Sequence, residues 1–228
     1  MALSKKTLLQ DGDINKDQEE LVFDPYNPNN VEITSAQVSE ILKKYGVPDK
    51  VHNFKLYARA FIHRSYVKRP HLENVENNIV IVDKPDNCLK LKTKSNERLE
   101  FLGDGVLECI TKYYLYRRFP KENEGFMTEK KIALVKNEHI GKLAFELGLH
   151  HHYIISRHAE EKNIRTALLL DPKNEEAMYL LIDIELERSN FSKAEELSKD
   201  FKKICVKMCQ KLASIESRIK DFERKDAS

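Results

Sequence analysis

Apolar side chains recur every three or four residues over most of the chain, and two stretches depart from that rhythm. Residues 1–33 carry DGD and PYNPNN and no sustained period, which predicts a mobile polar arm. In ITSAQVSEILKKYGVP, Thr34 or Ser35 is placed to cap a short helix that ends at Gly46 before Pro48. FKLYARAFIHRSYV sets Leu56, Ala60 and Phe61 at helical intervals and predicts a second helix. The pattern fails again from 68 to 95. There the β-like run Ile79 to Val82 and the turn Lys84-Pro85-Asp86 predict a loop or small hairpin inserted between helices. A long helix should follow, from near Asn96 to Arg118, stopping at Phe119-Pro120. Gly125 then marks a loop and Thr128 a cap. MTEKKIALVKNEHIGKLAFELGL supplies one or two amphipathic helices closed by Gly148.

Beyond Leu149 the texture changes. HHHYIISRHAEEKNIRT reads as a connector. In the stretch 167–201, ALLLDP is followed by Met178, Leu181, the turn Ser189-Asn190-Phe191 and Ala194. This spacing resembles a single tetratricopeptide repeat, a helix–turn–helix unit that rarely stands alone. Leu197, Phe201, Ile204, Met208, Leu212, Ile215, Ile219 and Phe222 then describe one long amphipathic helix. It is expected to cover the repeat, the alternative being pairing with another protein.

Composition narrows the picture only a little. Charged residues at 33%, with seven Gly and seven Pro, favour helices with solvated faces, and 41% hydrophobic residues can fill a core. A net charge of +2 does not by itself point to nucleic acid, so any basic surface must come from local clustering. Cys88, Cys109, Cys205 and Cys209 form no metal-type spacing and are expected to be reduced thiols. No apolar run approaches a membrane span and no secretory segment is visible, so the expected location is intracellular, cytoplasm or nucleus, without membrane attachment.

The chemistry concentrates in NERLEFLGD. On a helix, Glu97, Glu100 and Asp104 are three and four residues apart and share one face, which Glu108 continues. Phe101, Leu102, Val106, Leu107 and Ile110 occupy the other side, as a core-facing stripe would. Crowded carboxylates repel, and a hard cation such as Mg²⁺ relieves that repulsion through oxygen ligands.

NERLEFLGDGVLE resembles the signature helix of the ribonuclease III family. The similarity extends to AFIHRSY upstream and to YRRFPKENEGFMTEKKIALVKNEHIGKLAFELGL downstream, covering about 54–165 apart from the insertion 68–95. The resemblance implies a Mg²⁺-dependent endoribonuclease (Mn²⁺ being the alternative metal) that cleaves double-stranded RNA as a homodimer. By position it implies that Glu100 is a metal ligand and catalytic acid, that Asp104 is the second catalytic acid, and that Glu97 contacts RNA. Phe101 and Leu102 match the part of the motif at the family's dimer interface, and Gly103 would permit close helix approach. Lys130 and Lys131, with Lys136, Arg117 and Arg118, are the candidates for phosphate contacts. His63 reads as a structural hydrogen-bonding residue, and His150, His151 and His152 as neighbours that diverge rather than converge on a metal.

One element of the family pattern is missing. A second carboxylate pair, Asp-x-x-Glu, should follow AEEKNIRT, but Lys173 stands where the Asp should precede Glu176. Asp171 and Glu175, like Asp183 and Glu187, are four apart, and only Glu223 and Asp226 keep the interval. The expectation is therefore an all-α protein with an arm over 1–33, a ribonuclease III-like domain over 34–165, and a repeat-like hairpin with a C-terminal helix over 166–228. The alternative to the enzyme is a catalytically deficient RNA-binding or dimerisation module whose C-terminal helices contact a protein partner.

Overall fold

The computed structural model describes residues 14–17, 20–47, 51–69 and 79–226. Helices predominate, and a single small sheet accompanies them. Contacts divide the chain into two units, one ending at Ser156 and the other beginning at Arg157. No helix of the described residues is long and apolar enough to cross a membrane.

In the first unit, β1 (Ile14–Asp17) pairs antiparallel with β2 (Glu20–Phe23), with Ile14 opposite Phe23. β2 also pairs in parallel with β3 (Ile79–Ile81), setting Val22 beside Val80. This corrects two expectations. The segment Ile79 to Val82 does form a strand, but its partner is residues 21–23 rather than a neighbouring hairpin arm. The described part of 1–33 is likewise no arm. Asn27 and Asn30 are buried, and both side-chain amides donate to the Ile155 carbonyl, while the Ile155 N–H donates to Asn30 Oδ1. Polar side chains here satisfy buried backbone instead of meeting water, a role that hydropathy does not distinguish from a solvated loop.

Thr34 caps α1 (Ser35–Lys44) through a capping box with Gln37. Gly46 follows in the left-handed region at φ 69°, where a side chain would be strained. Pro48 lies outside the described residues. α2 (Phe54–Ala60) leads into a short 3₁₀ turn, Arg64–Tyr66. A parallel bridge joins Ile62 to Ile154, and these two with Tyr66 form a small buried cluster. The Tyr66 hydroxyl donates to the Leu89 carbonyl at 2.9 Å.

α3 (Glu97–Arg118) is the predicted long helix and packs against α4 (Glu124–Val135), which contacts α5 (Asn137–Glu146). Phe119 meets Phe126 edge to face at 5.2 Å across the α3–α4 turn. The cap of α4 is Asn123, whose side chain accepts the Phe126 N–H, not Thr128. Thr128 lies inside the helix and donates to Glu124, and Gly125 occupies the first turn rather than a loop. Gly148, at φ 70°, ends the run as expected.

The second unit consists of α6 (Arg157–Leu170), α7 (Glu175–Glu187), α8 (Phe191–Ile204) and α9 (Lys211–Asp226). Most of the stretch read as a connector is thus helical, and position 165 falls within α6. Ile164, Leu181, Ile182, Phe201, Ile215 and Ile219 anchor one shared core. The C-terminal amphipathic segment covers the α7–α8 hairpin, but as two helices instead of one. A disulfide joins Cys205 to Cys209 in the break, correcting the expectation of free thiols at those positions.

Candidate active site

The N-terminus of α3 is tied down by its backbone neighbours. The Asn96 N–H donates to the Ile62 carbonyl at 2.8 Å, and its side chain donates to the Ala60 carbonyl at 3.1 Å. Arg59 Nε donates to the Ser95 carbonyl at 2.8 Å. Asn96 therefore docks the helix onto the end of α2 instead of capping it.

From that anchor, Glu97, Glu100 and Asp104 project along one exposed face. Glu97 and Glu100 sit in the first turn, where the partial positive charge of the helix N-terminus favours carboxylates. This offsets part of their repulsion without any ligand. Ser95 donates its hydroxyl to Glu97 at 2.9 Å, and the Arg64 guanidinium stands 4.0 Å from the same carboxylate. Among the described residues, no ion pair engages Glu100 or Asp104. Glu108 behaves differently. Hydrogen bonds and charge from Lys112 (3.0 Å) and Lys131 (3.1 Å) hold its carboxyl below the usual range. The acidic ridge thus divides into two carboxylates that no ion pair engages, Glu100 and Asp104, and two, Glu97 and Glu108, that already meet a cation.

His63 flanks this face as a structural group. Its Nδ1 accepts the Ser65 N–H at 3.3 Å and lies 2.8 Å from Ser65 Oγ, which in turn accepts the Ser156 N–H at 2.9 Å. Burial, with help from the neighbouring Arg64 charge, lowers the imidazole pKa and favours the neutral ring. Tyr153 stands beside it, with ring centres 6.0 Å apart. Burial and then the charge of Glu100 raise the Tyr153 phenol. Sequence reading missed Ser95, Arg64 and Tyr153 around the acids. The Ser95-Asn96 pair before Glu97 was the available signal for the first.

The candidate phosphate contacts are partly engaged. Lys131 is committed to Glu108, and Lys130 lies over the Phe126 ring at 5.2 Å and near Glu129 at 3.7 Å. Arg117 and Arg118 stack over Tyr113 and Phe119. His150 stacks on Phe145 at 4.4 Å and also lies against His151, with ring centres 3.8 Å apart, while His152 Nε2 faces the Gln37 amide at 3.2 Å, so the first two histidines meet and only His152 turns to another partner.

The apolar stripe of α3 departs from the core-facing expectation. Phe101 is 86% exposed and Leu102 62%, and Val106, Leu107 and Ile110 are exposed with them. Leu115 is the buried residue of this helix. A row of large apolar side chains is thus left in water along this helix.

Four candidate acids of the second unit have partners inside it. Asp171 accepts the Lys173 N–H, and Glu175 accepts those of Lys207 and Met208. Asp183 pairs with Arg218, and Glu187 with Arg157. The side chains of Glu223 and Asp226 lie outside the described residues. Among the described residues, no group of three or more His, Cys, Asp or Glu side chains is gathered to hold a metal ion.

Comparison with known proteins shows what this chain is similar to. The ribonuclease III domain model matches residues 97–196. This stretch is similar to a ribonuclease III domain. The match starts at the acidic helix and runs on through α6 and α7 into α8, beyond the 165 limit read from the motifs alone. Relatives include a probable ribonuclease 3 of Acanthamoeba polyphaga mimivirus, 32% identical over 59% of this chain and 24% of its own length. Ribonuclease 3 of Azobacteroides pseudotrichonymphae is 34% identical over 54% of this chain and 39% of its own. That of Enterococcus faecalis is 33% identical over 58% and 50%. The chain therefore spans half or less of the length of these relatives. No solved structure matches it. Ribonuclease III proteins are in general divalent-metal dependent, act on double-stranded RNA and typically dimerise.

Proposed function

We propose that this chain is a metal-dependent endoribonuclease that cleaves double-stranded RNA. The observation that carries the reading is the exposed face of Glu97, Glu100 and Asp104 at the start of the stretch similar to a ribonuclease III domain. Glu100 and Asp104 are the catalytic acids, and Glu97, held by Ser95 and Arg64, contacts RNA beside them. Lys130 and Lys131 take phosphates, the latter after leaving Glu108. Phe101 and Leu102 bury against a second copy, forming a homodimer whose joined faces match the width of an A-form duplex by shape more than by base sequence.

The metal of this reading is Mg²⁺, with Mn²⁺ as substitute. Glu100 and Asp104 are hard oxygen donors of the type Mg²⁺ takes. Two carboxylates on one helix face do not complete a site, and the second pair is not supplied by the described residues. The fit is partial, so no chemical step is routed through the ion here.

The second reading, a catalytically deficient RNA-binding and dimerisation module with helices for a protein partner, is favoured by one observation. Of the acids flanking the expected second pair, Asp171 and Glu175 are spent on backbone N–H groups. A cleavage assay on long duplex RNA separates the two. With Mg²⁺ or Mn²⁺ added, the enzyme reading expects endonucleolytic products that chelation abolishes. Glu100→Gln and Asp104→Asn should each reduce them by about 100-fold or more, on the scale of losing a positioned acid or base. Duplex binding without any product assigns the chain to the second reading, and neither binding nor product overturns both.

A further inference from the structure

Residues 197–222 carry the period of one continuous amphipathic helix, yet the helix stops at Ile204 and resumes at Lys211. The intervening CVKMCQ contains no Gly or Pro to account for the stop. Two contacts hold the break. Cys205 and Cys209 form a disulfide, and the Glu175 carboxylate accepts the N–H groups of Lys207 at 2.9 Å and Met208 at 2.8 Å. The disulfide is incompatible with an unbroken helix. Residues four apart on an α-helix have Cβ atoms about 5–6 Å apart. A disulfide draws them to about 3.5–4.5 Å.

We propose that Cys205 and Cys209 form a dithiol–disulfide switch that sets whether the chain after Phe191 is two packed helices or one projecting helix. With the disulfide closed, α9 turns back and buries Ile215 and Ile219 in the core that also holds Leu181 and Phe201. With the pair reduced, residues 205–210 can close the helical hydrogen-bond ladder. Ile215 and Ile219 then leave the core and form an apolar stripe on an extended helix. Closure needs an oxidant, and a small-molecule disulfide such as oxidised glutathione supplies it. One cysteine thiolate attacks that disulfide and releases a thiol. The second thiolate displaces the other half, so one S–S bond breaks, one forms, and both departing thiolates take up the protons lost. Cys209 is exposed and Cys205 half-buried, which leaves the pair open to this exchange.

The test uses the full chain with spin labels introduced at Lys199 and Lys220 through a non-cysteine chemistry. A continuous helix places these positions about 32 Å apart at 1.5 Å per residue. In oxidised glutathione the distance distribution should be short and single. In reduced glutathione a component near that length should grow in, and Glu175→Gln should enlarge it. The Cys205→Ser, Cys209→Ser double variant should show the long component in both buffers, whereas Cys88→Ser with Cys109→Ser should follow the unmodified chain. The switch is overturned if full reduction leaves the distribution unchanged, or if mass spectrometry finds both thiols free in oxidised glutathione. Should the double variant fail to fold, the two buffers applied to the unmodified chain still decide.

Discussion

The two longest stories in this chain are α3 and the α7–α8 hairpin, and they spend their apolar residues in opposite ways. α3 runs for 22 residues with Leu115 buried and Phe101, Leu102 and Ile110 in water. α7, of 13 residues, buries Ala177, Leu181, Ile182, Ile184 and Leu186, and even its Glu185. In the second unit, buried acids are matched by cations. Arg165 bridges Glu161 at 2.7 Å and Glu185 at 2.9 Å, Arg188 adds a contact to Glu161 at 2.6 Å, and Asn190 donates to Glu185. In the first, the acids of α3 face solvent. One unit satisfies itself, and the other leaves an apolar and acidic surface exposed.

The largest effect should come from emptying the self-satisfied core. Phe201→Ala removes a fully buried ring and should cost about 3–5 kcal/mol, read as faster hydrogen exchange throughout α7, α8 and α9. A similar loss of protection in α3 would mean that the units do not fold separately. Next, Glu185→Ala strands Asn190 and part of the Arg165 fork, and about 1–3 kcal/mol should vanish from the same helices in chemical denaturation.

Acid should act on this network with a definite sign. Burial pushes the Glu161 carboxyl up, but hydrogen bonds and charge from Arg165 and Arg188 outweigh it and hold the group below its ordinary 4.5. Its contribution is therefore complete above that value and lost as pH falls through the lower folded value. Thermal melts of the second unit between pH 6 and 3 should decline in this window, and Glu161→Gln should flatten that decline. Thr34→Ala, which removes the capping box of α1, should cost about 1 kcal/mol locally. Smallest for stability is Phe101→Ser, with a change within about 0.5 kcal/mol in the single chain. The same substitution should raise the dissociation constant for self-association at least tenfold by sedimentation. A destabilised monomer with unchanged association would show that this face is internal after all.

Particular residues show where sequence reading worked. Thr34 or Ser35 announced α1, Phe119-Pro120 the end of α3, and Gly148 the close of α5, because caps and stops depend on neighbours a few positions away. The acidic face was legible for the same reason, since helical spacing alone aligns Glu97, Glu100 and Asp104. Asn27 and Asn30 were misread because burial of a polar side chain depends on a backbone 125 or more residues away. Thr128 reads as the cap of α4 by residue type, yet Asn123, which caps as well, is the residue that serves. The break at Cys205 escaped because its causes are a side-chain bond and a carboxylate from α7.

What the chain determined by itself is the helical class, the placement of the three carboxylates on one face, and the ribonuclease III signature that surrounds them. Each follows from short-range spacing, which a helix converts directly into geometry. Tertiary structure alone decided which apolar stripe was covered, which acids were already paired, and where the last helix broke. Those outcomes depend on groups distant in sequence meeting in space, and no local periodicity encodes the partner.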